Sequence, residues 1–383
     1  MPDTTNNNAP LLTFGGFTIP AGTRRVLVTA ELEPSNDGAL VQPTGFPDIG
    51  PVLYPDPSGK NGLLCLVESE ASMANRLEEV CFTEDKKSLG IFRDELKNLP
   101  WIKLTADGKP DGEFKTSSTI DGHRFASEYI LGAKGKLDGK GEKSTFASVE
   151  AQKGTEKELF EFVKEYLEMP SGDSCPVANV PRIFKLVMQY DPMSLLHGFQ
   201  ISLKKKITFV GLRSARAISA SIVATNCTRV TVPGVKFDPI GAGDVNQAIF
   251  QRSRITAKTL IVQFSIDVAE ILSFGLTKEE SELLLKIALC KVAWFLEKLN
   301  DVLKLRTECV LQLKGGTAKY TFNRKKTDAE GNPVFDDNFD FAAITSAAKT
   351  LQIPESERVP LVLKYVKAKK EDTSANEDDN GGN

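Results

Sequence analysis

Histidine and tryptophan are nearly missing from this chain of 383 residues, with two of each. Acid–base catalysis by paired histidines therefore has one candidate pair, His123 and His197. The six cysteines (Cys65, Cys81, Cys175, Cys227, Cys290 and Cys309) include no CxxC and lie mostly in apolar segments. That argues against a zinc site or a disulfide framework, and no metal or cofactor is expected. No run reaches the roughly 18 apolar residues of a membrane span. The opening residues, MPDTTNNNAP, lack the charged and apolar regions of a signal peptide. The sequence reads as a cytoplasmic protein with no membrane partner. The Gly/Lys stretch 132–143 (GAKGKLDGKGEK) lacks the GxxxxGK[ST] pattern and is no P-loop; it reads as a flexible loop.

Charge of one sign is missing only locally. The net charge is −3, which on its face disfavours a nucleic-acid partner. Residues 371–379 (EDTSANEDD) carry five of the acids and no base, and without them the balance is 48 basic against 46 acidic. Residues 182–258 hold twelve Lys and Arg against three acids, Asp191, Asp238 and Asp244. A long window with so few carboxylates is an electrostatic footprint for phosphate, because solvated faces normally mix both signs.

What is present is a mixed pattern of strands and helices. Leu63–Val67 is a continuous apolar run that reads as a buried strand. It runs into a helix with Ser69 and Ser72 as candidate N-caps and Met73, Ala74, Leu77, Val80 and Cys81 on one stripe. Arg24–Leu32 alternates as a strand. Residues 33–62, with six prolines and five glycines, read as a long loop. Helices are expected over Ser88–Leu99, Ser117–Ile130 (Ile120, Phe125 and Ile130 inward), 147–169 (acidic and mostly exposed), the mixed segment Val180–Leu196 up to Pro192, Thr277–Leu299 and near Phe341–Leu351. Thr277 and Glu280 form a capping box. Strands are expected at Trp101–Leu104, Phe199–Leu203, Ile207–Leu212, Ile255–Ile266 and Leu303–Leu313, the last turned into Ala318–Phe322 by Gly315–Gly316. The order suggests an α+β fold: an antiparallel sheet with helices on one face, the class that includes the RNA-recognition folds.

Several runs taken together resemble one family: QPTGFPDIG (42–50), LLCLVESEASMANRLEEVC (63–81), SSTIDGHRFASEYI (117–130), HGF (197–199), LRSARAISA (212–220), VKFD (235–238), FQRSRITAK (250–258) and LKLRTEC (303–309). It is the Cas-seven-type RAMP-superfamily backbone subunit of type I-G (formerly I-U) CRISPR surveillance complexes (Cascade). The resemblance implies an RRM-like (ferredoxin-like) palm over 24–326, with insertions at roughly 105–180 and 232–249, the latter a thumb-like β-hairpin. Residues 1–23 would be a loose N-terminus, 327–368 a C-terminal extension and 369–383 a disordered acidic tail. It implies a non-catalytic subunit that polymerises along CRISPR RNA in antiviral defence. Its partners would be CRISPR RNA, target DNA met through guide pairing, other copies of itself, other Cascade subunits and a recruited nuclease-helicase.

A protein that coats any guide must grip phosphate and sugar, not base edges. Arg213, Arg216, Arg252 and Arg254 are the leading phosphate contacts, with Lys236 beside them. Phe237 and Phe250 are candidate stacking platforms or ordinary core residues. Lys204 and Lys206 sit at a hairpin tip that is either solvated or on RNA. Gln42, Thr44 and Phe46 follow the first strand and face RNA or a neighbouring subunit. Ser69, Ser72, Asn75 and Arg76 could hold phosphate at a helix N-terminus, although capping explains the serines equally well. His123 and Arg124 complete the set. Two rivals remain: a RAMP-type endoribonuclease using His123 or Asp48 on CRISPR or target RNA, and a scaffold that assembles without nucleic acid.

Overall fold

The computed structural model describes residues 9–36, 38, 40–43, 50–168, 180–201, 213–236, 249–301, 303–305, 309–355 and 359–367. The elements that organise it are strands β1 (Arg25–Pro34), β2 (Val52–Pro55) and β3 (Leu63–Glu68), then helices α1 (Glu70–Glu79), α2 (Val180–Tyr190) and α3 (Pro192–His197). There follow β4 (Ile218–Thr225), β5 (Thr228–Lys236), β6 (Ile249–Thr256), β7 (Thr259–Asp267), α4 (Lys278–Asp301), β8 (Leu303–Leu305), β9 (Cys309–Phe322) and α5 (Phe341–Ala348).

The main sheet runs β8–β9–β1–β7–β4–β3–β2, and every one of these pairs is antiparallel. Its central four strands are, in chain order, β1, β4, β7 and β9. They lie fourth–first–third–second, with α1 between the first and second and α4 between the third and fourth. Strict alternation sets the faces. Val26, Val28, Ala30 and Leu32 of β1, Ile218, Ala220, Ile222 and Ala224 of β4, and Leu260, Val262, Phe264 and Ile266 of β7 are all buried. They meet α1 and α4 on one side, where Phe264 meets Phe295 edge-on at 5.5 Å. The other face carries Thr29, Ser219, Ser221, Gln263 and Ser265, all half-buried. The α+β class with helices on one face is therefore what the fold has.

The α4 helix begins where the sequence places it. Thr277 Oγ1 accepts from Glu280 N, and Glu280 Oε2 accepts from Thr277 N at 2.9 Å, the reciprocal capping box. Ser69 Oγ likewise accepts from Ser72 N to start α1.

Several expected elements differ, each for a local reason. Ser88–Leu99 is no helix: Gly90 turns left-handed (φ 66°), splitting the segment into short 3-10 turns at Glu84–Leu89 and Asp94–Leu96. Over 117–130, Asp121 Oδ1 accepts from His123 N and Arg124 turns to φ 54°, leaving one 3-10 turn and a helix of four residues, Glu128–Leu131. Phe125 and Ile130 are buried as expected, but Ile120 is exposed. The Gly/Lys stretch is not loose. Lys134–Asp138 is a strand, and a Cβ on Gly135 would sit 2.4 Å from Ala147 O, so that glycine permits close packing. Residues 147–169 give a strand, Thr155–Glu158, and then the helix Leu159–Tyr166, whose Leu159, Phe162, Val163 and Tyr166 are buried, not exposed.

That segment belongs to a second sheet, ordered Thr155–Glu158, Lys134–Asp138, Leu361–Lys364, Ile102–Thr105, Phe114–Ser117, with Thr145–Ala147 paired to Lys134–Asp138. Leu361–Lys364 thus lies inside this sheet, paired to Ile102–Thr105 on one side and to Lys134 on the other. The single strand expected over Ile255–Ile266 is two, β6 and β7, which break at Ala257–Lys258 and join different sheets. Leu303–Leu313 folds back on itself, pairing Leu303 with Leu311 and Leu305 with Cys309. Gly315–Gly316 make no hairpin turn. Both have positive φ inside a bulge, and β9 returns to the same partner, β1, at Ala318.

Candidate nucleic-acid interface

The sequence-marked residues include a buried knot and, apart from it, the exposed pair Arg213 and Arg216. In the knot, the 117–130 segment, α1, α3 and α4 bring their polar side chains together beneath the sheet. Arg124 is 8% exposed and donates to Glu78 of α1. Lys291, 1% exposed in the middle of α4, donates to Leu77 O at 3.2 Å and lies 2.7 Å from His197 Nε2. Burial, with the charges of Lys291, Arg124 and Arg216, holds His197 well below the usual histidine range. It is therefore neutral and accepts from the lysine. Ser194 Oγ donates to Asp191 Oδ2 at 2.7 Å and accepts from Phe125 N. Burial pushes the Asp191 carboxyl up to about 7, against the hydrogen bonds of Ser194 and Ser118 and the charge of Arg124.

Arg76 is also drawn inward: its Nη2 donates to the buried Glu68 at 2.7 Å. Neither Arg76 nor Arg124 is the open phosphate contact that sequence spacing suggests, because a carboxylate of the same chain holds each. Ser69 and Ser72 are half-buried, with Ser69 acting as the cap, while Asn75 and His123 are exposed. Lys291, Glu78, Asp191 and Ser194 escape sequence reasoning. Lys291 leaves one trace, a lysine inside the apolar run Ile287–Phe295.

The exposed surface is different. Arg213 and Arg216 lie just before β4, where Arg213 pairs in register with Gln200. Both are exposed, and no carboxylate among the described residues pairs with either. No acid occurs anywhere from residue 192 to 237, which explains why. At the other end of β4, the ladder with β7 ends at Thr225↔Thr259, and a two-stranded ribbon begins at Thr228↔Thr256 and continues to Lys236↔Ile249. Arg252 and Arg254 fall on this ribbon, in register with Val232 and Val230. The ribbon's base is tied by Val41, which exchanges backbone hydrogen bonds of 2.9 Å with Ile255, and Gln42 follows, half-buried.

The two arginine sets thus lie beyond opposite ends of β4, whose eight residues span roughly 23 Å. Between them lies the helix-free face of the sheet, with a cavity of about 240 Å³ between Thr29, Ser221, Gln263 and Ser265 and the segment that carries Lys325, Lys326 and Phe335. The ribbon shares residues 232–236 and 249 with the segment 232–249 expected as a thumb-like hairpin, and the rest of that segment lies outside the described residues. Phe250 and Lys236 fall on its backbone ladder. Thr44, Phe46, Asp48, Lys204, Lys206 and Phe237 lie outside the described residues.

The described cysteines are all free and buried. Among the described residues no acid, histidine and cysteine cluster could hold a metal, and no helix is long and apolar enough to cross a membrane.

A family model described as CRISPR-associated protein GSU0053 matches residues 26–229. No curated protein matches. Among solved structures, a chain of a "CRISPR RNA-guided surveillance complex, pre-nicking" is similar at 12% identity and a TM-score of 0.30, covering 79% of this chain and 80% of that one. So distant a likeness carries no weight beside the family match. That match takes in β1, β3, α1, both motif runs of the knot, and the segment holding Arg213 and Arg216. This chain belongs to the GSU0053 family of CRISPR-associated proteins.

Proposed function

We propose that this protein is the RNA-coating backbone subunit of a type I-G Cascade. Several copies line up along one CRISPR RNA and present it for pairing with target DNA, beside other Cascade subunits and a recruited nuclease-helicase. The palm is RRM-like: the fourth–first–third–second strand order with one helix in each crossover supports this, being the ferredoxin-like arrangement. The thumb is the β5–β6 ribbon.

The observation that carries the reading is the state of Arg213 and Arg216. Exposed guanidinium groups with no described carboxylate beside them are suited to phosphate oxygens, whatever the base sequence. The half-buried hydroxyl and amide groups of the helix-free sheet face suit ribose and splayed bases between the two arginine sets.

The protein performs no bond breaking in this reading. His197 is buried against Lys291, so His123 has no histidine partner for proton transfer to RNA.

The test uses labelled single-stranded RNAs of increasing length, with sedimentation velocity for bound mass and denaturing gels for RNA integrity. The expected result is a bound mass that rises in steps of one subunit with length, on intact RNA. One copy per RNA at every length would contradict the reading. So would cleavage that disappears in His123→Ala.

A further inference from the structure

A groove lies away from both arginine sets. It is about 590 Å³ and sits between the N-terminal turns of α4, the α2–α3 junction and residues 350–355. Its floor is apolar, with Phe14, Leu283, Leu351 and Ile353. Its rim carries four carboxylates, Glu279, Glu280, Glu282 and Glu355, against one ammonium, Lys286. Acids in the first turn of a helix offset its macrodipole, but that amounts to roughly half a charge. Glu355 comes from a different segment altogether. Lys286 at 3.8 Å and Lys278 at 3.9 Å both pair with Glu282, and no ion pair among the described residues offsets Glu279, Glu280 or Glu355. The groove therefore keeps a surplus of negative charge over a hydrophobic floor, and a strand of RNA would be repelled from it.

The chain contains a segment of the complementary composition. Residues 201–212 read ISLKKKITFVGL, three consecutive lysines flanked by isoleucine, leucine and phenylalanine, with no acid.

We propose that this groove receives the Lys204–Lys206 run of a second copy, so that apolar flanks meet the floor and ammonium groups meet the glutamates. Groove and run are different surfaces of one chain, so the contact is heterologous. Such contacts give a ring where the rotation closes and an open row of subunits where it does not, and the open row is the geometry that coating a linear guide needs. The inference rests on the RNA-coating reading for its purpose and assigns Lys204 and Lys206 to protein, not RNA.

The experiment is a charge exchange between copies. One variant is Glu279→Lys with Glu282→Lys; the other is Lys204→Glu with Lys206→Glu. Assembly on a long RNA is followed by sedimentation velocity, and anisotropy with an RNA long enough for one copy reports RNA binding alone. Each variant by itself should need roughly tenfold more protein to assemble, while binding the short RNA as the wild type does. An equal mixture of the two should regain assembly, because each groove then finds a run of opposite charge on its neighbour.

Three results would overturn the proposal: variants that assemble like the wild type, a mixture no better than its components, or loss of short-RNA binding in Lys204→Glu/Lys206→Glu. Recovery in a single chain carrying all four changes, without recovery in the mixture, places the run in its own groove and also overturns it. If the wild type binds no RNA, the RNA reading fails. The same mixing experiment at high protein concentration without RNA then still decides the groove.

Discussion

Arg124 and Arg213 both come from motif runs of the sequence and end in opposite circumstances. Arg124 is buried against Glu78, in a knot that also holds Lys291, His197 and Asp191. Arg213, like Arg216, faces solvent with no described carboxylate beside it. The difference lies in the surrounding residues. The Arg124 segment packs against a helix that supplies an acid, while Arg213 sits in a stretch of 46 residues, 192–237, that supplies none. A basic residue inside a motif is therefore not by itself a ligand contact. In this protein one set of motif arginines joins helices to sheet, and the other is left free to bind.

Changes that break the buried side should have the largest effects. Glu78→Ala leaves the Arg124 guanidinium buried without its partner and should cost about 3–5 kcal/mol, read as a lowered midpoint in urea unfolding. Asp191 should impose a pH dependence. Its carboxyl sits near 7 in the folded protein against about 4 unfolded, so the folded state holds the extra proton between those values. Its contribution is complete below pH 4 and is lost as pH rises toward 7, by up to about 4 kcal/mol. Asp191→Asn should flatten that part of the stability–pH profile and gain relative to the wild type at pH 8. An unchanged profile would mean that the carboxyl is ionised in place. Ser69→Ala removes the α1 cap and should cost about 1 kcal/mol. Arg213→Ala and Arg216→Ala, on the exposed side, should change stability by no more than about 0.5 kcal/mol. A loss comparable to that of Glu78→Ala would remove the distinction between the two regions.

Elements dictated by local chemistry could be read from the sequence. Alternation gave β1 and β7 their buried faces, and Thr277 with Glu280 marked the start of α4. Elements decided by distant partners could not. The Gly/Lys stretch became a strand because residues 145–147, 155–158 and 361–364 pair around it. The 117–130 segment lost its helix to a turn at Asp121 and Arg124 that the knot requires.

The site divides in the same way. A scarcity of acids is a property of sequence, and Arg213 and Arg216, which it singled out as phosphate contacts, are exposed. Pairing of Arg76 with Glu68 and of Arg124 with Glu78 is a property of the fold, reaching 8 and 46 residues along the chain. Separation of the two arginine sets to opposite ends of β4 is invisible in a window that counts charge alone.

The central claim, that the exposed arginines hold the phosphates of a guide, is tested most directly by the salt dependence of RNA binding. Anisotropy titrations of a single-stranded RNA across a range of salt concentrations give the slope of log K against log[salt] for the wild type and for Arg213→Ala/Arg216→Ala. Each phosphate contact on a single strand contributes about 0.7 to that slope, so the double variant should be shallower by about 1.4, with weaker binding and unaltered stability. A double variant with the wild-type slope and affinity would show that these arginines do not touch the RNA, and would contradict the account.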